Sequence, residues 1–238
     1  FRPSLHYKKM FDDGSSKIKN IRKFILYNLM LKNKRVHKIF SLDPYFVDYG
    51  QKNLPNPHKL VKLPDPNLYD EKRNSVDFKK AQINIKKNGK KVFLLFGALT
   101  ERKGVLKTLK AVGSMQESSL KKARFVFAGR IHKEIREEFY QLVNKLREKA
   151  DIEVIDKFVP DADLLNLIEQ TDYILAPYEK FVGSSGVLFW AAGAKKPIIT
   201  QDYGPLGAWT KDFKLGLTAN TADEVREAVE KMAEKGFR

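Results

Sequence analysis

Two adjacent cations and a run of small residues are the parts of this sequence best suited to chemistry on an anion. The segment Phe96-Gly97-Ala98-Leu99-Thr100-Glu101-Arg102-Lys103-Gly104 follows an apolar run and precedes a helical pattern. Gly97 permits a sharp turn at the end of a strand. Arg102 and Lys103 then fall beside a helix N-terminus, where unsatisfied N–H groups and the helix dipole already favour negative charge. Two such cations would clamp a diphosphate; on an exposed loop they would be ordinary solvated charges, and spacing alone leaves both readings open. A second segment, Phe181-Val182-Gly183-Ser184-Ser185-Gly186-Val187, opens a helical pattern after Pro177-Tyr178-Glu179. Gly183 and Gly186 leave backbone N–H groups unhindered, and Ser184 and Ser185 add hydroxyls. The stretch therefore fits a phosphate cradle and equally a plain helix cap. Gly204-Pro205-Leu206-Gly207 is a third candidate, which would either close over a ligand or only reverse the chain.

Several chemistries are excluded or disfavoured by what is missing. There is no cysteine in the 238 residues, hence no disulfide, thiolate metal site or cysteine nucleophile. The four histidines, His6, His37, His58 and His132, show no metal-ligand spacing, so no metal is expected. Neither a dinucleotide glycine fingerprint nor a Walker sequence occurs. Lys and Arg exceed Asp and Glu by 45 to 29, giving a net charge of +16. That surplus favours polyanions, anionic lipid or phosphorylated small molecules, although a lysine-rich solvated surface gives the same total. Without an aromatic-and-basic signature, nucleic acid is not an expected partner. No apolar run is long enough to span a bilayer. With the absence of cysteine, that points to a cytoplasmic protein. The first residue is Phe1, as in a piece of a longer chain.

Stepping outward, apolar runs at 92–96, 124–128, 152–158, 173–176 and 197–200 alternate with helical patterns at 104–115, 133–149, 162–170, 185–194 and 223–234. Strands that are apolar throughout and separated by helices predict an α/β fold, a Rossmann-like parallel sheet with helices on both faces. In such a fold ligands sit beyond the carboxyl ends of the strands, which is where the first two segments above fall. Upstream, a helix at 17–31 places Ile18, Ile21, Ile25 and Leu29 on one face, flanked by Lys17, Lys19, Arg22 and Lys23. A strand at 36–42, a helix opened by Asp43-Pro44 and a strand at 59–63 follow. Residues 65–91 are polar and lysine-rich with little periodicity, as in a linker. The organisation read from this is the end of one domain at 1–64, a linker at 65–91 and the sheet domain at 92–238. The 17–31 helix has the pattern of one lying on an anionic membrane surface, and equally of one packed on a neighbouring domain.

Taken in order, these loops resemble the family-4 glycosyltransferases (glycosyl transferases group 1), whose GT-B architecture has two Rossmann-like domains. Val92 to Gly97 and Lys103-Gly104 are similar to the family's first strand and lysine loop. Ala123 to Gly129 is similar to its second strand. Phe158-Val159-Pro160 with the following helix is similar to a segment that contacts the nucleotide base, and Val187 to Thr200 to the signature helix and strand. The resemblance covers residues 90–235, and residues 17–64 are similar to the end of the family's acceptor-side domain. It implies a retaining, metal-independent transferase with no cofactor. Its donor would be a nucleotide-diphosphate sugar, and its acceptor a glycan or a lipid-linked molecule at the inner face of a membrane. Lys103 and Arg102 would stabilise the leaving diphosphate. The donor would lie against Gly97, Arg102, Lys103, Gly129, Arg130, Phe158, Val159, Glu179, Gly183, Ser184, Ser185, Gly186 and Val187.

The sequence departs from the family at four places. Ala98 stands where the family has arginine, so Arg102 would supply the second charge. Val182 and Trp190 stand where the family has two glutamates eight residues apart, and Gly207 replaces a third. Glu179, three residues from the first position, is the nearest replacement carboxylate. A non-catalytic member of the same fold is the rival these losses support. With most of the first domain outside this chain, the chain alone is expected to be inactive.

Overall fold

In the computed structural model the described residues are 14–64 and 69–237, with side chains described from residue 21. Helix α1 (Gly14–Lys32) is followed by strand β1 (Ile39–Ser41), helix α2 (Pro44–Asn53) and strand β2 (Leu60–Lys62), and the two strands pair in parallel. Asp43 caps α2 by accepting the Phe46 N–H, and Pro44 takes the first-turn position where a missing N–H costs nothing. The expected strand at 36–42 is only three residues long because Asn33 holds a turn after α1. Its side chain accepts from Arg35 N, and its carbonyl accepts from Val36 N. Tyr27 and Leu31 of α1 pack with Phe46, Val47, Leu54 and Leu60 as one small core. The stripe read from sequence lies elsewhere on the helix. Ile21, Ile25 and Leu29 do share a face, and they are 61%, 51% and 61% exposed. Ile18, Lys17 and Lys19 lie outside the described side chains.

The second group of elements runs α3 (Tyr69–Ser75), β3 (Lys91–Phe96), α4 (Val105–Gly113), α5 (Glu117–Leu120), β4 (Ala123–Ala128), α6 (Arg136–Leu146) and β5 (Asp151–Ile155). It continues α7 (Asp161–Gln170), β6 (Tyr173–Ala176), α8 (Gly186–Gly193), β7 (Ile198–Thr200), α9 (Gly204–Asp212), β8 (Gly216–Thr218) and α10 (Ala222–Lys235). The strands β3 to β8 form one parallel sheet in the order β5-β4-β3-β6-β7-β8. Its side chains alternate between faces. Phe93, Leu95, Phe125 and Phe127 join α4, α6 and α10 in one core, while Val92 and Leu94 are as deeply buried and point the other way. Both faces are covered, so the parallel α/β sheet read from sequence is present.

Three local readings change. Residues 69–91, expected as linker, carry α3 and a short 3₁₀ turn and lie along α7. Tyr69, Ile83 and Ile85 are buried, and the Ile83 and Ile85 N–H groups donate to the side chains of Asp163 and Gln170. Gly204 to Gly207 opens α9 and is not a free turn. Strand β8 was invisible to periodicity because it is short and begins at Gly216, where a Cβ would overlap the Ile198 carbonyl oxygen. By proximity the chain divides into two units. One comprises residues 1–66, 180–185 and 203–206, and the other 67–179, 186–202 and 207–238.

The strand order reverses between β3 and β6, which makes the loops after these two strands the edges of the switch-point crevice. Gly104 packs there against the Pro177 carbonyl, at φ +70° and with no room for a Cβ. A left-handed alanine costs about 1–2 kcal/mol, and forced overpacking about 1–3 kcal/mol. Gly104→Ala should therefore lower the unfolding free energy by about 2–5 kcal/mol. Identical urea midpoints for wild type and variant would contradict this packing.

Candidate functional site

The loops after β3, β4 and β5 leave the sheet as a braced group. Beyond the strands the pairing continues: Gly97 N donates to Ala128 O, Leu99 N to Arg130 O and His132 N to Leu99 O, at 2.8–2.9 Å. Gly129, at φ +139°, lies so close to Gly97 that a Cβ would overlap the Gly97 carbonyl. Asp156, just after β5, accepts from Ile131 N (2.9 Å) and the Tyr140 hydroxyl (3.0 Å) and pairs with Arg136. The β3 loop then makes a 3₁₀ turn over Glu101–Lys103 and enters α4 through Gly104.

That turn folds Lys103 back over the strand end. Its Nζ donates to the Phe96 carbonyl at 2.8 Å and occupies the space beside Gly97, where a Cβ would stand 2.5 Å from it. Burial, and then the positive charge of Arg102, lower the Lys103 pKa to about 8. Among the described residues no carboxylate pairs with Lys103. Its neighbours are aromatic and cationic: Lys103 Nζ lies 5.6 Å, and Arg102 Cζ 5.7 Å, from the Tyr178 ring centroid. The β6 loop is held to this turn by Glu179 N, which donates to Arg102 O at 2.8 Å. Thr100 Oγ1, in the same loop, is buried without a hydrogen-bond partner. The result is fixed positive charge over a partly desolvated strand end, an arrangement whose chemistry suits an anion.

The structure brings Gly97, Arg102, Lys103, Gly129 and the Glu179 backbone together at the switch point. Arg130, exposed, follows Gly129 on the same edge, and Phe158 (68% exposed) and half-buried Val159 lie on the loop between β5 and α7. The Glu179 carboxylate pulls the Lys107 pKa up against the burial that lowers it. Lys107 Nζ also donates to Tyr178 O and Asn220 O. Gly183, Ser184 and Ser185 belong by proximity to the first unit, whereas Gly186 and Val187 open α8 in the second. The space beside Gly186 is open. The two glutamate positions carry no hidden carboxylate. Val182 lines a cavity of the first unit, and Trp190 packs between Tyr69 and Phe96 with Lys72 Nζ 5.6 Å from its ring. Sequence reasoning missed Tyr178 and Lys107. Lys107 is one helical turn beyond Lys103, so the i, i+4 spacing of two lysines was the available signal.

The family model for glycosyl transferases group 1 matches residues 76–236, and the chain belongs to this family. Similar solved structures share the fold at low identity. WaaG, a glycosyltransferase involved in lipopolysaccharide biosynthesis, is 19% identical, with a TM-score of 0.56 over 83% of this chain and 54% of that one. The UDP-forming α,α-trehalose-phosphate synthase of Burkholderia xenovorans is 13% identical, with a TM-score of 0.61 over 84% and 54%. Anabaena HepE, solved with UDP and glucose, is 13% identical, with a TM-score of 0.59 over 99% and 61%. This chain thus spans between about half and three fifths of the length of these relatives. A search of curated protein sequences gives no significant match.

A desolvated lysine has a consequence for stability. Its folded pKa of about 8 lies below the unfolded value of 10.5, so between these values the unfolded chain binds more protons and stability rises with pH. The cost of burying the ammonium is therefore complete below pH 8 and relieved toward pH 10.5. Lys103→Met should stabilise the protein by about 1–3 kcal/mol at pH 7, with the gain fading by pH 10. A difference in urea stability that does not change between pH 7 and pH 10 would show that the ammonium is not desolvated.

Proposed function

We propose that this member of the glycosyl transferases group 1 family transfers a sugar from a nucleotide-diphosphate donor to a glycan or lipid-linked acceptor, with retention and without a metal ion. The observation that carries this reading is Lys103: a partly buried ammonium with a depressed pKa, beside Arg102, at the switch point of the sheet. When the bond between the anomeric carbon and the diphosphate breaks, the sugar takes on oxocarbenium character and negative charge accumulates on the leaving phosphate. Fixed cations in a partly desolvated site stabilise that charge without reorganising. A bound diphosphate also favours the protonated form of Lys103 and so raises its pKa again. Phe158 offers an exposed ring to the base, and the α8 N-terminus at Gly186 offers N–H groups to phosphate. Retention and metal independence are carried over from the family resemblance. The UDP held by Anabaena HepE makes UDP the first nucleotide to try.

A specific observation favours a second reading, a protein that binds the nucleotide and transfers nothing. Trp190 and Val182 replace both glutamates, and Trp190 is committed to an aromatic cluster. Hydrolysis or transfer of a UDP-sugar separates the two readings, since binding without turnover selects the second.

The face of α1 formed by Ile21, Ile25 and Leu29, with Phe24 beside it and Arg22 on its flank, supports peripheral attachment to an anionic membrane. No helix among the described residues is long and apolar enough to cross one.

Lys103→Ala should weaken UDP binding by roughly ten- to a hundredfold, the value of a charged hydrogen bond of about 1.5–3 kcal/mol, while uridine binding changes little. Equal UDP affinity by calorimetry removes Lys103 from the site. Gly186→Val meets open space in the unliganded protein, so it should leave the melting temperature nearly unchanged and still weaken UDP binding. Undiminished affinity in that variant would make the α8 start a cap only. The protein should cosediment with phosphatidylserine vesicles at low salt and be released at high salt, each basic residue contributing about 1 kcal/mol. Indifference to these vesicles at low salt ends the membrane reading.

A further inference from the structure

Lys107, one helical turn beyond Lys103, has no part in the donor reading so far. It lies on α4, whose packing is carried by Val105, Leu109 and Val112 at 0%, 0% and 1% exposure. Its own side chain is half-buried at the carboxyl edge of the sheet. The ammonium bridges two loops that are far apart in sequence, donating to Tyr178 O after β6 at 3.2 Å and to Asn220 O after β8 at 3.0 Å. Burial lowers its pKa, and the carboxylates of Glu179 and Glu224 counter part of that pull.

The bridge acts on one peptide unit. The Tyr178 carbonyl accepts from Lys107, and the Glu179 N–H of the same peptide donates to Arg102 O at 2.8 Å. A peptide is planar, so hydrogen bonds at both of its ends fix the orientation of that plane. One bond alone leaves the plane free to turn about it. Tyr178 is attached to this peptide, and its ring centroid lies 5.6 Å from Lys103 Nζ and 5.7 Å from Arg102 Cζ. The far end of the bridge is firm. Asn220 N donates to the Glu224 carboxylate at 2.6 Å, and Asn220 Oδ1 accepts from Asp202 N at 2.9 Å. Thr221 and Glu224 then close a capping box at the start of α10. An ammonium suits this task, since it offers three donors on a flexible stem.

We propose that Lys107 is a positioning residue of the anion site: by anchoring the Tyr178–Glu179 peptide to the β8 loop, it holds the Tyr178 ring beside Lys103 and Arg102 and limits the access of water to Lys103, without touching the ligand. That the anion is a nucleotide diphosphate rests on the transferase reading above. The anchoring rests on the hydrogen bonds at the two ends of the peptide.

The test uses the whole chain with Lys107→Met, which keeps a long, helix-favouring side chain and removes the donor, and Lys107→Arg, which restores one. Lys107→Met should weaken UDP binding by roughly three- to tenfold, the size of effect expected of a residue that acts through others, and leave uridine binding unchanged. The Lys103 titration, followed by NMR in the unliganded protein, should move up from about 8 toward 10.5 as water reaches the ammonium. Losing a nearby positive charge raises that value as well, but salt screens such a contribution; the rise expected here persists at high salt. Lys107→Arg should return both readouts toward wild type. The proposal is overturned if Lys107→Met leaves the Lys103 titration as in wild type, which would make any loss of UDP affinity a direct contact of Lys107. It is equally overturned if the rise vanishes at high salt, if uridine binding falls as far as UDP binding, or if Lys107→Arg is as impaired as Lys107→Met. Should the wild type not bind UDP, the donor reading fails, and the Lys103 titration still decides whether Lys107 anchors the loop.

Discussion

The carbonyl of Pro177 and the carbonyl of Gly97 each occupy the space that a side chain would need at Gly104 and Gly129. These two backbone contacts draw the loops after β3, β4 and β6 together at the point where the strand order reverses. Everything else at the carboxyl edge of the sheet follows from that closeness. With residue 104 pinned to the β6 loop, the preceding 3₁₀ turn must fold back, and Lys103 is carried over the end of its own strand onto the Phe96 carbonyl. The Arg102 carbonyl then receives the Glu179 N–H, and Tyr178 comes to lie beside both cations.

The arrangement opposes stability locally, and in the proposed function that cost serves anion binding. An ammonium in this setting loses water and gains one carbonyl, an aromatic face and a cationic neighbour, none of which replaces a carboxylate partner. Burial, and then Arg102, accordingly hold its pKa below the ordinary lysine value. On the proposed reading a diphosphate would supply the missing negative charge, so that the ligand and not the fold would offset the cost of burial. Sites that hold charge ready in this way avoid reorganisation when charge develops during reaction. In the sheet beneath, Phe93 stacks on Phe125 and packs at a tilt against Tyr173.

Much of this was legible in the sequence. The unbroken apolar runs at β3, β4 and β6 read as buried parallel strands, as the structure has them, and Gly97, Lys103 and Gly104 marked the turn that joins β3 to α4. The resemblance to group 1 glycosyltransferases agrees with the family match over residues 76–236. What escaped was tertiary. Tyr178 carries no local signal that it will lie beside two cations, because that depends on a loop some 75 residues away. Residues 69–91 looked like linker because their few buried groups, Tyr69, Ile83 and Ile85, follow no period and are fixed by side chains of α7. The stripe of α1 had the right period, but periodicity identifies a face and not what covers it. Tyr27 and Leu31, outside that stripe, make the packing contacts.

The central claim is that Lys103 is a desolvated ammonium waiting for a phosphate. Selective labelling of lysine side-chain nitrogen, with assignment through Lys103→Arg, would read its titration directly by NMR. The Lys103 pKa should lie near 8 in the unliganded protein and move upward when UDP is added, while Lys107 shifts less. A Lys103 that titrates at the ordinary lysine value, or whose pKa is unchanged by saturating UDP, would contradict the account.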